Sequence, residues 1–359
     1  MIKKISGRMN KYSANRNQLK KYGKVLFFAL VSLLLFASCE KSTEKDPSNN
    51  QPDSKNTESV PLNNTGEEKQ NGKANDETNK STGQNIENDI KEAEQEDNET
   101  KNNTQVTTEA EDIINPGGQT IAERFQVLKG YKREKTEEGT FAHFLQNLSL
   151  KSEGTKVKYY DGRTKNKKVY LAVIDYPLGN RDLQQCADVV IRLRAEYLYE
   201  NSRQNEIHFN FVSGFNAEFS KWSSGKGISV NGNTVSWTTN RNNNDSYESF
   251  QKYLDMVYAY ASTLSLEKEL VQKPFEEIAI GDVFIQAGSP GHCVIVVDMA
   301  INKTTGDKIF MLAQGYMPAQ DIQILIGDEE NSPWFSANIE EELITPEWVF
   351  ETTDLKTWE

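Results

Sequence analysis

Gly281-Asp282-Val283-Phe284-Ile285-Gln286-Ala287-Gly288-Ser289-Pro290-Gly291-His292-Cys293-Val294-Ile295-Val296-Val297-Asp298 decides how the folded part of this chain reads. A Gly-Asp pair opens one apolar run, a Gly/Pro turn follows, and a histidine opens the next run over Cys293–Asp298. Short β-branched runs separated by such a turn read as consecutive strands. Roughly a hundred residues upstream, Asp182-Leu183-Gln184-Gln185-Cys186-Ala187-Asp188 opens a helix. Asp182 and Gln185 fit a capping box, and Leu183, Cys186/Ala187, Val190/Ile191, Ala195 and Leu198 recur at helical spacing. Cys186 then falls at the fourth helical position, inside the positive end of the dipole. A thiol nucleophile needs a group that lowers its pKa and a base that moves its proton. The helix end and the imidazole of His292 are groups of those two kinds.

Outward from these two segments, the pattern predicts a helix over Phe141–Leu148 and strands at Val157–Tyr160 and Val169–Ile174. Ile207, Phe209 and Phe211 alternate with polar residues as a half-buried strand does. Asn231-Gly232, between Ile228–Val230 and Thr234–Trp237, signals a hairpin with a type I′ turn. Asp245-Ser246-Tyr247-Glu248 caps a helix with Phe250, Leu254, Val257, Tyr258 and Ala261 on its apolar face. Further strands are read at Ile309–Ala313 and Ile322–Ile326. Helices followed by consecutive short strands make an α+β domain, its helices packed on a small antiparallel sheet or half-barrel.

The N-terminus reads as an export signal: eight Lys and Arg residues, then a stretch from Val25 to Phe36 too short to span a bilayer. Phe36-Ala37-Ser38-Cys39 resembles the lipobox of bacterial lipoproteins, with Phe36 where Leu is usual, which makes Cys39 the acylated mature N-terminus. An ordinary secretory signal with a chance cysteine is the alternative. Loss of residues 1–38 removes those eight cations and no acid, so the net charge moves from −12 to about −20. So acidic a chain has no electrostatic footprint for nucleic acid, and acyl chains rather than a basic patch would attach it to a membrane. Residues 39–115, polar and without Phe, Trp or Tyr, read as a disordered acidic tether with a reach on the order of 50 Å. The folded part, 116–359, is one large domain or two tightly joined lobes, and its two cysteines, Cys186 and Cys293, do not make a disulfide scaffold.

Gln185-Cys186, Gly281-Asp282-Val283 and Gly291-His292-Cys293-Val294 resemble the motifs of papain-like cysteine hydrolases of the bacterial envelope, the CHAP and NlpC-type families. The resemblance covers roughly 180–200 and 278–326, which makes about 206–274 a large insertion. It implies Cys186 as nucleophile, His292 as base, and Gln314, on the following strand, as the residue that orients the imidazole. Leu183–Tyr199 and Leu312–Gln320 are similar to bacterial lipoproteins that share a domain of unknown function, a likeness that carries no activity.

Cys186 also suits a core position or a disulfide, and His292 a satisfied strand-capping histidine. His208 is the rival base. Cys293 points away from His292 by strand alternation and reads as core, Asp282 as a turn residue. Trp222 and Trp237 read as hairpin packing, with a substrate groove as the alternative. No cofactor is expected, and three scattered histidines lack metal-ligand spacing. Two functions follow as expectations. One is a lipid-anchored amide hydrolase acting on peptidoglycan peptides, its oxyanion held by the Cys186 N–H with a Gln184 or Gln185 group. The other is a non-catalytic binding or assembly lipoprotein on the same scaffold.

Overall fold

The computed structural model describes residues 113–239 and 242–359. The expected export signal, Cys39 and the expected tether as far as residue 112 lie outside the described residues. The folded chain includes Ile113, whose carbonyl accepts the Gln126 N–H at 2.7 Å, and Ile114, which bridges to Phe125.

In chain order the strands are β1 (Tyr131–Arg133), β2 (Tyr170–Val173), β3 (His208–Asn210), β4 (Asn216–Glu218), β5 (Lys226–Asn231), β6 (Thr234–Thr239), β7 (Val271–Gln272) and β8 (Val283–Gln286). They continue with β9 (His292–Asn302), β10 (Lys308–Gln314), β11 (Gln323–Leu325), β12 (Phe335–Ser336), β13 (Glu342–Ile344), β14 (Val349–Glu351) and β15 (Leu355–Thr357). Among the described residues, nine of these form one antiparallel sheet. Its order is β2-β11-β10-β9-β8-β15-β7, with β1 added to β9 and β12 to β10. The domain is therefore α+β with a large antiparallel sheet. No helix of the described residues is long and apolar enough to cross a membrane.

β9 reads as an unbroken apolar run because both of its faces are covered. Cys293, Ile295 and Val297 face the larger core, which also holds the buried helix Cys186–Glu200. Val294 and Val296 face a smaller core closed by Leu343, Phe350 and Leu355. One extra residue in β9 opposite Met311/Leu312 makes a bulge there. Asp298 at the bulge is fully buried, and its carboxylate accepts from Arg133 Nε at 2.8 Å and Gln146 Nε2 at 2.7 Å. A buried charge needs such partners, and these tie β1 and the helix Phe141–Gln146 to the sheet.

Residues 206–274 are built into the domain: Ile207, Phe209, Phe211, Phe219, Phe250, Tyr253 and Leu266 are buried in the same core as Val189 and Val190. Two expectations are corrected. The β5–β6 turn is centred one residue later than Asn231-Gly232, because Asn231 pairs with Thr234. That register sets Val230 against Val235 and Ile228 against Trp237, keeping the apolar side chains on one face. Gly232 at φ 57° then holds the first central position with no positive φ at Asn233, the pattern of type II′ rather than I′. The Cys186 helix starts later too. Its N-cap is Gln185, not Asp182.

Candidate active site

The late helix start follows from a long-range contact. Asp182 Oδ1 accepts the Ala319 N–H at 2.6 Å and Gln185 Nε2 at 3.0 Å, so it straps the incoming chain to the loop after β10 rather than capping the helix. Asp188 takes over as the helix acid: its Oδ2 accepts the Gln185 N–H at 3.0 Å. Cys186 is thus the first helical residue rather than the fourth. The first N–H to bond within the helix is that of Val189, to Gln185 O at 3.1 Å. The amides of the first turn have no intrahelical acceptor, and the dipole there is positive.

His292 begins β9 opposite Gln286 on β8 and is buried. The turn that delivers it is tight: a Cβ on Gly291 would lie 2.6 Å from Thr263 Oγ1 and 2.7 Å from Gly288 O. Rings of Tyr316, Trp348 and Phe350 surround the imidazole, with centroids at 4.8, 5.3 and 5.9 Å. His292 Nε2 lies 2.9 Å from Gln314 Oε1, at the end of β10. Gln314 Nε2 donates to Glu347 Oε2 at 2.7 Å, which fixes the amide with its oxygen toward the histidine. A carbonyl oxygen only accepts, so Nε2 carries the ring proton and Nδ1 is left for Cys186.

Cys186 is half-buried and free, and its thiol is drawn down to about 4. The largest cause is a hydrogen bond from the Cys293 thiol; burial opposes it, and the His292 hydrogen bond and charge and the Ala187 amide add to it. Burial pushes the Cys293 thiol well up, so it stays protonated and donates. Asp188 is also pushed up, chiefly by burial and further by the Cys186 charge.

Cys186, His292 and Gln314 therefore converge. Gln184 and Gln185 have other partners: Gln184 Oε1 accepts from Arg192 Nη1, and Gln185 Nε2 is held by Asp182. Each amide keeps donor hydrogens beyond these contacts, and the backbone N–H groups of the first helical turn are further donors at the same place. His208 is exposed on β3 opposite Glu218. Asp282 is a turn residue, accepting the Ala279 N–H at 2.7 Å and Lys273 Nζ at 2.8 Å. Trp222 donates to Ser249 Oγ at 3.1 Å in the core, and Trp237 packs on Phe215 at 5.3 Å. A separate cavity of about 400 Å³, lined by Glu138, His143, Asp175, Tyr176 and Glu200 among others, contains neither Cys186 nor His292.

Three residues of the site escape a sequence reading. Cys293 sits against Cys186; the alternation that turns it from His292 is the signal that it faces the helix. Tyr316 has only its proximity to Gln314. Glu347, in the β13–β14 turn, has no local signal at all.

Residues 121–357 match the family described as a domain of unknown function (4846), and the chain belongs to that family. The matched span takes in residues 206–274. No curated protein matches the chain, and no solved structure does.

Proposed function

We propose that this member of the family is a lipid-anchored cysteine hydrolase of amide bonds, built on a papain-like arrangement and acting on the peptides of peptidoglycan. One observation carries the reading. A half-buried thiol at the first residue of a helix, drawn down to about 4, adjoins a histidine whose far nitrogen is held at 2.9 Å by Gln314. The Cys186 thiolate attacks the amide carbonyl carbon, and first-turn N–H groups receive the charge that develops on the oxygen. The imidazolium proton at His292 Nδ1 passes to the departing amine as the C–N bond breaks. His292 then takes a proton from water, whose oxygen attacks the thioester; the acid is released and the thiolate restored. The peptide substrate and the envelope location rest on the likeness to envelope hydrolases and on the lipobox-like Phe36–Cys39.

The test uses the full chain and soluble peptidoglycan fragments, with release of free amines or carboxylates as readout. Wild type is expected to turn over, and Cys186→Ser and His292→Ala to lose activity while keeping the fold. Cys39→Ser is expected to release the protein from membranes. The second reading, a binding lipoprotein on the same scaffold, draws on the burial of His292 to 2 % exposure and on the separate cavity. Fragment binding without turnover, unchanged in Cys186→Ser, supports that reading instead.

A further inference from the structure

Glu347 stands behind the dyad with more invested in it than a turn residue requires. Its Oε2 accepts from Gln314 Nε2 at 2.7 Å and from Lys165 Nζ at 2.6 Å, and its Oε1 lies 3.3 Å from Lys167 Nζ. The Lys165 and Glu347 side chains are 4 % and 6 % exposed. Taking both charges out of water is costly, and an apolar pair of similar volume often serves a core at least as well. The pair therefore calls for a reason other than packing, and Gln314 supplies one.

An amide has an oxygen end and a nitrogen end of nearly the same shape, and either can meet a histidine nitrogen. With Oε1 toward His292, Nε2 of the ring must carry the proton and Nδ1 is free to hold the thiol proton. With Nε2 of Gln314 toward the ring, the tautomer reverses and Nδ1 cannot take that proton. Nothing in Gln314 itself chooses between the two. A carboxylate behind it does, because it accepts only.

We propose that Glu347, held in place by Lys165, is a positioning residue that fixes the Gln314 amide and through it the His292 tautomer. This rests on the Cys186–His292 reading. The ionisable groups facing the relay are few: Lys165 and Lys167 on Glu347, Tyr316 beside His292 with Lys165 over its ring at 5.5 Å, and Asp188 and Cys293 near Cys186. Lys165 Nζ also lies 3.3 Å from Gln323 Oε1, so the cation keeps a neutral partner on its other side.

The experiment is the pH profile of iodoacetamide alkylation of Cys186 in the full chain, with circular dichroism to follow the fold. Lys165→Met/Glu347→Leu replaces the ion pair by apolar residues of similar size. Its alkylation midpoint is expected to rise by about one pH unit, a tenfold smaller thiolate fraction on the acid side. Adding Gln314→Glu places an acceptor-only group directly on the ring and is expected to bring the midpoint back. A packing defect cannot be repaired that way. An unchanged midpoint in the double variant, or a raised one that Gln314→Glu leaves raised, overturns the proposal. If the double variant does not fold, Glu347→Gln, which keeps the shape and removes the charge, is read by the same midpoint: a rise supports the proposal and no change overturns it. His292→Ala separates the two levels. If it leaves the wild-type profile unmoved, the dyad reading itself fails; if it moves the profile and the Glu347 variants do not, only the relay fails.

Discussion

Gly315, the residue after β10, lies against the first turn of the cysteine helix, and Gly315→Ala tests whether that closeness positions the thiol. A Cβ at residue 315 would lie 2.5 Å from Val189 Cγ2 and 2.8 Å from Gln185 O. Carbon atoms in contact rest at about 3.5–4.0 Å, so the first turn of the helix must move off β10 by about 1 Å. Overpacking of that kind typically costs about 1–3 kcal/mol. A misplacement of about 1 Å can lower a rate about a hundredfold when it falls between reacting groups. The expected result is a lower urea midpoint together with a large loss of Cys186 alkylation rate at pH 6. Gly179→Ala is the control, because nothing lies within 4 Å of its Cβ and its φ is ordinary; its effect is expected within about 0.5 kcal/mol. A Gly315→Ala protein with wild-type stability and wild-type alkylation would falsify the packing of this helix on β10.

Two further outcomes follow from the buried ionisable groups. Glu269 is pushed up to about 7 by burial, against the pull of the Asn210 N–H that its carboxylate accepts at 2.6 Å. Its folded pKa is above the unfolded value, so the stability it contributes is full below about pH 4 and is lost as pH rises through 7, about 3 kcal/mol in all. Glu269→Gln is expected to flatten that slope, raising the urea midpoint at pH 8 and leaving it near wild type at pH 4; equal shifts at both values refute it. Cys293→Ala removes the thiol donor to Cys186 at a cost of about 1 kcal/mol in core volume. The acid midpoint of Cys186 alkylation is expected to rise, and an unchanged midpoint means the two thiols do not interact.

The central strands are legible because β8, β9 and β10 combine apolar runs with Gly/Pro turns, whereas Val157–Tyr160, read as a strand, makes only isolated bridges at Lys158 and Tyr159. Cys186, His292 and Gln314 lie on three elements whose order in the chain was readable, and the structure brings them together. What sequence could not supply was tertiary competition. Asp182 and Asp188 both suit the role of helix acid, and the contact of Asp182 with Ala319 decides between them. The hairpin turn was misplaced by one residue because cross-strand pairing of Val230 with Val235 outweighed the Asn-Gly signal. Glu347 was invisible: its partners Gln314 and Lys165 are remote in sequence, and an acid in a turn looks like a solvated one.

The most direct measurement is the rate constant for iodoacetamide alkylation of Cys186 from pH 4 to pH 9, in wild type and in His292→Ala. The thiol held near 4 should give wild type a rate already close to its plateau at about pH 6, and Cys293 should stay unlabelled in the folded chain. His292→Ala should move the inflection upward, toward the ordinary thiol range near about 8.5. A wild-type inflection in that ordinary range, or a Cys186 that stays inert until denaturant is added, contradicts the nucleophile reading.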